Sequence, residues 1–179
     1  MNNKNTEKLR IEAREKHISG KTKEAIMLLT QAICADPSAT LVALDMAQIF
    51  LDIGEFEQAQ NLFNKLPESA QKSATGVSIS SQLSFVKLAQ NTAGTDILQV
   101  QVAKNPTDYQ AHFDLAICFF AQHDIEKGMQ NLFFIQTNKA DFKQGAAKEM
   151  IVLACNMLAV NNKEASKKYR HQLANLVSE

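Results

Sequence analysis

The chain has 179 residues, 45% of them hydrophobic, with 19 Lys+Arg balanced by 19 Asp+Glu. That length supports one solenoid or domain with a buried core. A formal net charge of zero excludes a global field that would draw the chain to nucleic acid or an anionic membrane. No apolar run approaches the roughly 20 residues needed to span a bilayer, and the stretch Met1–Lys8 is too polar for a secretory leader. The expected location is cytoplasmic.

Almost no segment alternates with period two, and the few glycines and prolines punctuate helical patterns, so an all-α chain is predicted. The first predicted helix runs from about Asn5 to Ser19 and stops at Gly20, which can adopt the left-handed conformation that ends a helix. A second runs from about Thr22 to Ala35 and stops before Pro37, with Ser38 placed to cap the next helix. Ala13, Gly20, Ala25 and Leu29 then recur 34 positions later as Ala47, Gly54, Ala59 and Phe63. Small residues at this spacing let two antiparallel helices cross closely while a bulky neighbour fills the space beside them. A period of 34 with small residues at Ala13, Ala25 and Ala32, a large one at Leu29 and a proline at Pro37 resembles the tetratricopeptide repeat.

Further along, Pro67 arrives early and shortens the second unit. Residues 67–81 are predicted as a turn plus a weakly amphipathic helix, with helical spacing clear again from Leu83. Gly94-Thr95 opens a short helix ending at Asn105-Pro106. Pro37 to Pro106, Ala47 to Ala116 and Phe50 to Phe119 are each 69 residues apart, so the register survives with one extra residue. Thr107 is placed to cap the following helix, which carries Ala116 and Phe119; its pair partner carries Gly128 and Leu132. His123 stands where the first two units have Gly. Two final helices, about Asp141–Val160 and Asn162–Val177, are predicted to cover the end of the stack. The fold expected is an all-α tetratricopeptide-repeat solenoid of about four helix pairs plus a C-terminal capping helix pair. Its units fall at about 6–39, 40–73, 74–108 and 109–142, with C-terminal helices over 143–179, all in a single domain.

Catalytic and metal chemistry is not signalled. Cys34, Cys118 and Cys155 lie far apart in apolar helical stretches without a C-x-x-C, and they read as buried structural thiols. No pair among His17, His112, His123 and His171 has the i, i+4 spacing of a helical metal site. No phosphate loop or hydrolase elbow appears. No enzyme activity, metal or cofactor is therefore expected. Arg10 and Arg14 occupy the inner face of the first helix, where related repeats grip a C-terminal carboxylate. The next unit answers with the anion Asp45, and the third offers Gly76 and Ser80 instead of cations, so that clamp is absent. Leu41, Leu44, Gln48 and Leu51 in the second unit, and Phe113, Ile117 and Phe120 in the fourth, serve either as packing between helices or as a protein-binding surface.

Residues 98–134, with VAKNP at 102–106 and NLFF at 131–134, and residues 163–179, with KYRHQL at 168–173, resemble the C-terminal repeat region of the YbbN/CnoX family of thioredoxin-like chaperedoxins. Members carry an N-terminal thioredoxin domain that these 179 residues do not contain. The resemblance implies a non-catalytic co-chaperone module joined in cis to a thioredoxin domain. Its implied partners are a GroEL-type chaperonin, the DnaK system and unfolding client proteins, with the last helix docking the chaperonin through Lys167, Lys168, Tyr169, Arg170, Leu173 and Leu176. The alternative from the repeat alone is a generic assembly scaffold of the cytochrome-maturation or pilus-biogenesis type.

Overall fold

A computed structural model describes residues 3–177. Among the described residues it contains eleven α-helices, one 3-10 turn and no strand. The helices are α1 (Asn3–Ile18), α2 (Thr22–Ala35), α3 (Thr40–Asp52), α4 (Phe56–Asn64), α5 (Glu68–Gln71), α6 (Ala74–Ala89), α7 (Thr95–Lys104), α8 (Tyr109–Ala121), α9 (Ile125–Asn138), α10 (Ala146–Leu158) and α11 (Lys163–Val177). The chain is an all-α tetratricopeptide-repeat solenoid. It divides into two compact units, one ending at Leu83 and the other beginning at Ser84.

The α1–α2 and α3–α4 turns pass through Gly20 and Gly54 at φ near +80°. His123 takes the same place between α8 and α9 at φ +61°, a conformation that costs a side-chain-bearing residue roughly 1–2 kcal/mol. Two predicted caps are corrected. Ser38 and Thr107 do not cap α3 and α8; the N-cap residues are Ala39 and Asp108. The reason lies one step upstream. The Asp36 carboxylate accepts from both the Ser38 N–H and hydroxyl, and the Asn105 side-chain oxygen accepts from the same two groups of Thr107. Each hydroxyl is thus engaged in an Asx turn around the proline before the helix starts. The Asp108 carboxylate instead accepts from Ala111 N–H at 2.9 Å.

Pro67 ends α4 early and begins the single turn of α5. Gly76 is required at the next junction, because a Cβ there would run into the backbone oxygens of Ala70 and Gln71. The penultimate helix starts later than the sequence pattern indicates. Residues 142–144 form a 3-10 turn in which Lys143, Gln144 and then Gly145 all have positive φ, and α10 begins only at Ala146.

In the first unit, Ala13, Ala25, Leu29 and Ala32 are fully buried with Val42, Met46 and Ile49. A second cluster joins Leu44, Ala47, Leu51, Ala59 and Phe63 of α3 and α4 to Ile79 and Leu83 of α6. The alanines are thus the closest-packed points of the helix crossings. In the second unit the main core centres on Phe120, Met129, Leu132, Ile135, Ile151 and Cys155, with Leu173 of α11 closing it.

The repeat is conserved in packing while its residues change. Leu51 and Ala59 in the first unit correspond, 69 residues on, to Phe120 and Gly128. The larger Phe120 ring occupies the space that a methyl on Gly128 would need: a Cβ there would lie 2.6 Å from Phe120 Cε1. Phe120 is also held by Phe85, with ring centroids 4.6 Å apart, so it has little freedom to withdraw. Gly128→Ala is expected to cost about 1–3 kcal/mol through overpacking. Adding Phe120→Leu, which recreates the Leu51–Ala59 pair, should make the double variant more stable than the sum of the single effects by at least about 0.5 kcal/mol. Urea denaturation of the four proteins checks this, and strict additivity would refute the coupling.

Candidate protein-binding surfaces

The inner-facing polar residues of the first unit are joined to one another across successive helices. Arg14 on α1 donates to both carboxylate oxygens of Asp45 on α3, at 2.7 and 2.5 Å, and Arg10 donates to Asp45 at 3.0 Å. Arg10 also makes a forked pair with Glu7. One turn further along, His17 Nε2 lies 3.1 Å from Asp52 Oδ2. Gln48 donates to Asp52 Oδ1 and exchanges amide hydrogen bonds with Gln82 of α6. The partners are separated by 31 to 35 residues, so the repeat period itself stacks them. That period was the signal, visible in the sequence, that could have paired Arg10 and Arg14 with Asp45.

This ladder determines what the surface can do. The Asp45 side chain is only 6% exposed and carries the two guanidinia. Arg10, Arg14, Glu7 and Asp45 sum to zero charge, which leaves no net field to grip a carboxylate. Leu44 is buried in the core cluster beside them, and Gln48 is half-buried in its amide pair.

Hydrogen bonding to Arg10 holds the Glu7 carboxyl below its usual range and, in return, raises Arg10. Because the folded-state value of Glu7 is depressed, its contribution is complete above the ordinary carboxylate range and is lost as pH falls from there through the lower folded-state value. Glu7→Gln should therefore flatten part of the acid limb of a stability–pH profile below about pH 4.5 and leave the limb above pH 7 unchanged. Asp45→Asn should destabilise by about 1–3 kcal/mol, because it leaves a largely buried guanidinium under-compensated. Lys72→Ala, which removes the exposed Lys72–Glu68 pair, should cost under about 0.5 kcal/mol. Parallel thermal melts of the two variants measure the contrast.

In the second unit, Ile117 and Phe120 are buried and Phe113 is half-buried. Phe113 is covered by the turn before α10: Phe142 lies 5.7 Å away ring to ring, and Lys143 Nζ sits 5.5 Å above its face. Tyr109 stacks on Phe134 and touches Phe142. His112 packs on Phe134, with its Nδ1 2.6 Å from Asn131 Oδ1. Sequence patterning did not identify this aromatic cluster, because the left-handed turn that brings Phe142 and Lys143 onto α8 carries no periodic signal beyond Gly145.

The last helix is docked by specific contacts. Leu173 enters the core, Ser166 donates to the Cys155 carbonyl at 2.8 Å, and Tyr169 packs on Phe133 at 6.2 Å. Burial raises the Tyr169 hydroxyl above its ordinary range. Leu176 packs at the margin of the core. Lys167, Lys168 and Arg170 are exposed; Lys168 lies over the Tyr169 ring and Arg170 donates to Asn156 at 2.6 Å.

The thiols divide. Cys118 and Cys155 are buried, and desolvation pushes Cys155 up, away from a reactive thiolate. Cys34 is exposed, which corrects the expectation that all three are buried: it lies two residues past Ala32, on the side of α2 opposite the buried stripe of Ala25, Leu29 and Ala32. Among the described residues no group of three or more His, Cys, Asp or Glu could hold a metal ion, and no helix is long and apolar enough to cross a membrane.

Two family profiles, each described as Tetratricopeptide repeat, match residues 88–177 and 17–82. The chain belongs to the tetratricopeptide-repeat proteins, whose helix pairs serve as protein–protein interaction modules and are typically non-catalytic. No curated protein matches it in sequence. Similar solved structures include MamA 41-end from Desulfovibrio magneticus RS-1, 14% identical over 97% of this chain and 96% of that one, with a TM-score of 0.45. A second structure of MamA is 21% identical over 93% and 94%, with a TM-score of 0.41.

Proposed function

We propose that this chain is the protein-binding tail of a thioredoxin-like co-chaperone of the YbbN/CnoX type. In this reading it binds a GroEL-type chaperonin, the DnaK system or unfolding clients through α11 in the cytoplasm. The observation that carries the reading is the terminal helix, whose residues resemble that family's and whose fold separates two roles. Leu173 and Leu176 anchor the helix to the core, while Lys167, Lys168 and Arg170 face outward beside the half-buried ring of Tyr169. An outward row of cations around an aromatic suits an acidic protein surface, since Arg and Tyr are the side chains enriched at binding hot spots.

The burial of Leu173 and Ser166 governs the choice of test. Removing α11 would expose Ile151, Ala154 and Cys155 of α10, so a deletion confounds binding with folding. Lys167→Glu, Lys168→Glu and Arg170→Glu together change only exposed groups. The triple variant should keep its circular-dichroism spectrum while its affinity for the purified chaperonin falls at least tenfold, about 1.4 kcal/mol or more. Unchanged binding would reject docking through α11.

A further inference from the structure

The outward face of α1 carries an ordered row of side chains. Lys4, Lys8, Ile11, Glu15 and Ile18 follow one another at alternating steps of four and three residues, which places them on one stripe of a helix. All five are exposed, and they lie opposite the buried Ala13. Ile11 is 49% and Ile18 85% exposed. Of the other charges of the helix, Arg10 and Arg14 are used on Asp45, Glu7 on Arg10 and Lys16 on Glu24, while Glu12, half-buried beside the stripe, makes no ion pair. Among the described residues, Lys4, Lys8 and Glu15 have no ion-pair partner.

The order of the stripe is complementary to its own reverse. We infer that α1 is a homodimerisation surface on which a second copy of this chain docks its own α1 antiparallel, about a two-fold axis through Ile11. In that alignment Ile11 meets Ile11 of the second copy. Lys8 meets Glu15 of the second copy, twice by symmetry. The Lys4 stem covers the exposed Ile18 of the second copy, again twice. A parallel alignment would instead set Lys8 on Lys8 and Glu15 on Glu15, so charge selects the antiparallel arrangement. Such isologous pairing is the commonest way soluble chains associate. The 16 residues of α1 span only about 24 Å. The contact therefore sits below the roughly 1,200 Å² of a standard interface, and the dimer is weak and concentration-dependent.

The test is sedimentation equilibrium of the full chain at low salt, from about 10 µM to about 1 mM, the range in which an interface of this size associates. A monomer–dimer equilibrium is expected, weakened by high salt. Ile11→Glu and Lys8→Glu should each raise the dissociation constant at least about tenfold. Combining Lys8→Glu with Glu15→Lys in one chain should restore it, because reversing the polarity keeps the two-fold complementarity. Disulfide trapping in a Cys34→Ser background reads the direction. Ile11→Cys should cross-link to its symmetry mate, whereas Lys4→Cys should not, its two copies being about 21 Å apart along the helix. A monomer throughout the range, a dimer indifferent to Ile11→Glu and Lys8→Glu, or efficient cross-linking through Lys4→Cys would each overturn the inference. None of these outcomes bears on chaperonin binding through α11.

Discussion

The structure depends on one steric constraint: paired helices must approach closely enough that only a hydrogen or a methyl fits where they cross. Ala13 and Ala25, Ala47 and Ala59, and Ala116 and Gly128 occupy those points, and all six are buried. Within each unit, every close crossing brings flanking large residues into contact and so builds a core that no single helix could bury alone. The constraint acts on summed volume rather than on any one residue. Where Leu becomes Phe120, Ala becomes Gly128, and the crossing is preserved.

The same period that stacks the crossings also stacks the polar residues of α1, α3 and α6. Residues one repeat apart lie on neighbouring helices, so Arg14 reaches Asp45, His17 reaches Asp52 and Gln48 reaches Gln82. A surface that a repeat protein can use for ligands is here satisfied internally. The two surfaces proposed for binding, the outer face of α11 and the outward stripe of α1, lie away from that ladder. On α1 the exposed Lys4 and Lys8 stand beside the exposed Ile11 and Ile18, and on α11 the exposed Lys167, Lys168 and Arg170 stand around the half-buried Tyr169.

Much of this was legible from residue spacing. Ala13, Gly20, Ala25 and Leu29 repeated at 34 positions announced helix pairs, and the buried alanines and the positive φ of Gly20, Gly54 and His123 follow from that register. The anion that Asp45 sets one repeat away from Arg10 and Arg14 was legible too. What escaped were local hydrogen-bond competitions and aperiodic turns. Ser38 looked like a cap, yet Asp36 engages its hydroxyl first. The turn at Phe142–Gln144, with Lys143 and Gln144 in left-handed geometry, has no propensity signature, so the covering of Phe113 was invisible. Cys34 looked like a core thiol because its neighbours are apolar, but it lies off the buried stripe of Ala25, Leu29 and Ala32.

The class of fold and the register of its helix pairs were readable from residue spacing alone, because both rest on periodic small residues. Which of the inner-face residues are core and which are surface depended on the folded arrangement. Leu44, Ile117 and Phe120 share an apolar pattern with Phe113, and burial depends on what the next helix or turn places over each one. That covering is a property of distant segments meeting in space, and periodicity within one helix does not encode it.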